Sequence, residues 1–70
     1  MDPNIIFDGY NNRLARLMNE PMSSTEQMAI IDEMIGFIRL GLKEDISADD
    51  KAAIEQELRS RLVKRFVSLH

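Results

Sequence analysis

The chain has no cysteine and no tryptophan, and among its 70 residues only two prolines, three glycines and one histidine. Without cysteine there is no disulfide framework and no zinc ribbon. Long apolar runs are missing too. The longest, Met28-Ala29-Ile30-Ile31, is four residues, far short of the roughly 20 that cross a bilayer and too short for the core of a secretion signal. The opening Met-Asp-Pro-Asn carries no basic flank of the kind such a signal needs, so a cytoplasmic location and no membrane partner are expected. No stretch alternates apolar and polar residues with a period of two, so no strand is expected. Gly36 and Gly41 are isolated within one helical segment, which excludes a glycine-rich phosphate loop.

What is present is apolar residues at helical spacing on a charged background: 44% hydrophobic, 30% charged, net charge −3 and pI about 5.0. That balance favours solubility and speaks against a nucleic-acid coat or a membrane-surface binder. Residues 1–70 fit one small domain.

Three helices follow from the punctuation. Asp2 before Pro3 supplies an N-cap carboxylate and a proline at the first helical position. Ile6, Phe7, Tyr10, Leu14, Leu17 and Met18 then share an arc of about 120°, and Pro21 ends the element, giving a first helix over 3–19. Gly9 and the pair Asn11-Asn12 are poor helix formers, so its first half is expected to fray. Ser24 with Gln27 has capping-box spacing, and Ser23 with Glu26 offers the same box one residue earlier. In the second helix, 25–42, Met28, Ile31, Ile35, Ile38 and Leu42 form one row, with Ile30, Met34, Phe37 and Gly41 beside it. Together they cover about 180°, wider than the ~100° stripe of a helix with one neighbour. Ser47 with Asp50 caps a third helix over 48–68, whose stripe is Ile54, Leu58, Leu62, Phe66 and Leu69. The expected fold is therefore all-α, a compact three-helix bundle with the second helix central.

Chemistry is sparse. The one histidine, His70, is the last residue, where ordering is poorest, and no nucleophile–base pair stands out. No enzyme, cofactor or small-molecule substrate is expected. Glu44, Asp45, Asp49, Asp50, Glu55 and Glu57 face only Lys43 and Lys51 over residues 43–57. A calcium loop would need a glycine there, so no metal site is expected either. Asp49 and Asp50 complement the dipole of the third helix, and with Glu44 and Asp45 they are candidates for a surface that meets a basic partner. Arg59, Arg61, Lys64 and Arg65 reverse the sign. Arg61, Lys64 and Arg65 share a face, whereas Arg59 points away. Glu55–Arg59 and Glu57–Arg61 are expected as pairs one turn apart. Met22, between Pro21 and Ser23, is expected to staple onto the second helix.

These features point to a small non-enzymatic protein–protein interaction module, a regulator, adaptor or inhibitor acting by surface binding. Its expected partners are an unidentified protein, through Glu44, Asp45, Asp49, Asp50, Arg61, Lys64 and Arg65, and a second copy of itself. The homodimer is expected to use Ile30, Met34, Phe37, Val63 and Val67, because Val63 and Val67 widen the third helix's apolar face with no evident neighbour in the chain. If instead the first helix covers the second, a monomer with a small exposed apolar patch remains. The alternative function is a dimeric DNA-binding transcriptional regulator using the basic C-terminal helix, although Asp49 and Asp50 would repel phosphate.

Overall fold

A computed structural model of the chain describes residues 2–67. It contains three helices, α1 (Pro3–Asn19), α2 (Ser24–Gly41) and α3 (Ala48–Phe66), and no strand among the described residues. Each start is capped as its residue types dictate. The Asp2 carboxylate accepts from the Asn4 N–H at 2.9 Å, Ser23 Oγ from Glu26 N–H and Ser47 Oγ from Asp50 N–H, both at 3.1 Å. Of the two boxes open at the second helix, Ser23–Glu26 is the one used, so α2 begins at Ser24. The third helix ends at Phe66, with Val67 already extended, two residues earlier than the expected 48–68. Ser68, Leu69 and His70 lie outside the described residues.

α2 is central. Gly9 packs on Phe37, Ile6 lies beside Gly41, and Arg13 pairs with Glu33, so α1 runs antiparallel to α2. Glu55 pairs with Arg39 and Arg59 with Asp32, so α3 is also antiparallel to α2. α1 and α3 are therefore parallel to each other, and they hardly meet.

The core closes at one end only. Leu17 of α1, Ile30, Ile31, Met34 and Ile35 of α2, and Leu62 and Val67 at the end of α3 are buried together, with Ile31 and Met34 wholly enclosed. Met22, Leu14, Leu58, Val63 and Phe66 pack around them. Met22 thus joins the core, as its place before the cap requires. The result is a flattened bundle, 39 × 25 × 14 Å. Its radius of gyration, 12.7 Å, exceeds the roughly 11 Å of a closely packed chain this long.

The first half of α1 does not fray. Gly9 is there for packing: a Cβ at this position would meet the Phe37 ring at 2.4 Å. The residue that weakens the isolated helix is the one that lets it approach α2.

An apolar groove between α1 and α3

Where the core stops, a groove opens. It lies at the end formed by the start of α1, the end of α2 and the middle of α3, and it is lined by Ile6, Phe7, Tyr10, Ile38, Gly41 and Leu58. Its volume is about 450 Å³, and its lining is almost wholly apolar. The cause is the arrangement of the helices. Each outer helix covers its own side of α2, and because the two hardly meet, the last turns of α2 keep an uncovered strip.

Phe7 and Met18 both lie within the apolar arc of α1. They stand out from the core, 67% and 60% exposed, because they occupy the edge of the arc farthest from α2. Phe7 forms one lip of the groove. Ile54, exposed on α3 one turn before Leu58, extends the apolar surface past the other lip, where Glu57 and Arg61 flank it. Ile38 is half-buried as a groove wall, while Ile35, one turn earlier, is buried.

The residues assigned to a dimer interface are mostly occupied within the chain. Ile30, Met34 and Val67 are buried, and Val63 packs on the same core. The reason for placing them between two copies, an apolar surface without a neighbour, does not hold for them: α3 is long enough for its last two turns to close over the first half of α2. Phe37 is half-buried against Gly9 and the Arg13 guanidinium, which lies 4.7 Å from the ring centroid.

The charged candidates are all on the surface. Glu44, Asp45, Asp49 and Asp50 are exposed around the start of α3, at the groove end of the bundle. Arg61, Lys64 and Arg65 are exposed at the other end of α3. The structure does not bring the two groups together. Arg61 pairs with Glu57 at 3.0 Å, as its spacing predicts, and Arg65 lies over the Phe66 ring. The expected Glu55–Arg59 pair is replaced by two contacts between helices. Arg59 reaches Asp32, and Glu55 takes Arg39, raising the Arg39 pKa above its ordinary value by hydrogen bond and charge. Both positions face α2 across the seam, so partners on α2 are nearer than each other.

Among the described residues no group of three His, Cys, Asp or Glu side chains is placed to hold a metal ion. No helix there is long and apolar enough to cross a membrane. The groove itself presents Tyr10 as its one polar-tipped wall, so what it offers a ligand is apolar surface.

The groove residues are visible in the sequence as apolar positions, on the same stripes as the core. The signal that separates them is positional: Phe7 sits at the rim of its arc, and the second apolar row of α2 ends in Gly41, which gives α1 no side chain to pack against.

Compared with protein families, curated proteins and solved structures, the chain matches none.

Proposed function

We propose that this chain is a small non-enzymatic protein–protein interaction module, a cytoplasmic regulator, adaptor or inhibitor that works by surface binding through the groove between α1 and α3. One observation carries the reading. A chain of this size leaves an apolar groove open beside an exposed phenylalanine, where contiguous exposed apolar surface marks interaction sites. Aromatic anchors next to a desolvated pocket are also where binding energy concentrates in protein interfaces. The charges around the groove end then contribute orientation and encounter rate more than affinity.

The test is affinity capture from the native host with mass spectrometry, run in parallel with the wild type and with Phe7→Asp. Proteins retained by the wild type and lost with Phe7→Asp support the reading. Identical sets with both would contradict it.

A second reading, a DNA-binding regulator, draws on Lys64 and Arg65, which are exposed at the end of α3 and form no ion pair among the described residues. A gel-shift series in rising salt addresses it, because contacts to phosphate weaken steeply as salt rises.

A further inference from the structure

We infer that the occupant of the groove is a second copy of this chain, the two copies exchanging their Phe7 side chains across a two-fold axis. The inference rests on reading the groove as a binding surface, and it names what binds there.

The first ground is area. A folded monomer of 8.1 kDa exposes about 4,500 Å², whereas this chain exposes 5,169 Å². The excess, about 700 Å², is close to the ~800 Å² that each partner contributes to an interface of standard size.

The second ground is shape. Among the described residues Phe7 is the most exposed of the large apolar side chains, and it is at the same time a wall of the groove. Each copy therefore has a projecting ring and a hollow beside it. A two-fold arrangement fills both hollows with both rings in one step, which is the self-complementarity an isologous dimer requires. The hollow is large enough: a cavity of about 150 Å³ already accommodates benzene, and the groove offers about 450 Å³, open on its outer side.

The third ground is the charge along the α3 lip. Asp50, Ile54, Glu57 and Arg61 fall on one face of α3 by helical register, and Glu57 and Arg61 flank the apolar strip beside Leu58. A partner carrying only basic or only acidic residues would meet a like charge at this lip. Glu57 and Arg61 already pair with each other at 3.0 Å, so the strip beside Leu58 is locally neutral and a second copy meets it with an equally neutral strip.

The experiment is light scattering coupled to size exclusion on the full chain, from about 100 µM downwards over a tenfold dilution, with helix content followed by circular dichroism. The wild type is expected at twice the 8.1 kDa chain mass. Phe7→Asp and, separately, Ile54→Glu are expected at the single-chain mass with unchanged helix content, since both side chains are exposed and neither belongs to the core. A wild type at the single-chain mass throughout overturns the inference, and so does a dimer that persists in both folded variants, which would place the interface on another face. A monomeric wild type leaves capture through Phe7 to be judged separately, so failure of the inference and failure of the groove reading give different results.

Discussion

Gly9 of α1 lies directly beneath the Phe37 ring of α2, so close that a Cβ at position 9 would sit 2.4 Å from Cζ of the ring and 2.5 Å from one Cε. The Arg13 guanidinium also lies over the ring, 4.7 Å from its centroid. Arg13 also donates to the Gly9 carbonyl at 3.3 Å and pairs with Glu33 at the same distance, so glycine, ring and guanidinium form one contact cluster that fixes α1 on α2.

Gly9→Ala forces that cluster apart. Overpacking of this kind costs about 1–3 kcal/mol, more than the up to ~1 kcal/mol that alanine adds to helix propensity. Gly36 is the control: it lies in the middle of α2, and a Cβ there would meet nothing within 4 Å. Gly36→Ala is expected to stabilise by about 0.5–1 kcal/mol. In a domain this small each kcal/mol moves the midpoint by about 4–8 °C, so thermal melts should show the two variants shifting in opposite directions. Shifts of the same sign would contradict the packing role of Gly9.

Ile35 and Ile38 separate core from groove. Ile35 is buried, and Ile35→Ala should cost about 2–5 kcal/mol, enough to unfold much of a domain whose core supplies only a few kcal/mol. Ile38 is a half-buried groove wall, so Ile38→Ala should cost about half as much or less when the chain is dilute. Denaturant titrations of both variants at low concentration check this. Equal losses would mean that the groove is closed in solution.

Reversing Lys64 and Arg65 to glutamate is expected to leave helix content nearly intact, because exposed charges of this kind contribute under about 1 kcal/mol each. Circular dichroism reads the outcome. A collapse of helix content would show that the two residues hold α3 in place.

Salt distinguishes the two functional readings. The exposed Glu44, Asp45, Asp49 and Asp50 lie at the same end of each copy as the groove, so the proposed dimer brings two acidic ends toward one another. Their repulsion is screened as salt rises, with a Debye length falling from about 10 Å at 0.1 M to about 3 Å at 1 M. Self-association measured by sedimentation should therefore strengthen between these concentrations, whereas attachment to phosphate would weaken.

The three helices were legible because caps and periodicity are local. Asp2-Pro3, Ser23 to Glu26 and Ser47 to Asp50 mark the helix starts within a few residues of themselves. The core was legible where an apolar row faces two neighbours, as Ile31 and Ile35 do. The groove was not, because it depends on how far apart α1 and α3 lie, a relation between residues some 50 positions apart such as Phe7 and Leu58. A helical wheel gives Phe7 and Leu17 the same apolar status. Only packing decides that Leu17 is enclosed and Phe7 projects. The ion pairs divide in the same way: Glu57–Arg61 follows from spacing, while Arg39–Glu55 and Arg59–Asp32 require the antiparallel register of α2 and α3.

The most direct measurement of the groove as a binding surface is an isotope-filtered NOE experiment on a mixture of ¹³C-labelled and unlabelled chains at high concentration, which detects only contacts between copies. The account predicts intermolecular NOEs from the Phe7 ring to the Ile38 and Leu58 methyl groups and to the Tyr10 ring, with none to the enclosed Ile31 and Met34. Intermolecular NOEs confined to residues outside the groove, or none from Phe7 at any concentration reached, would contradict it.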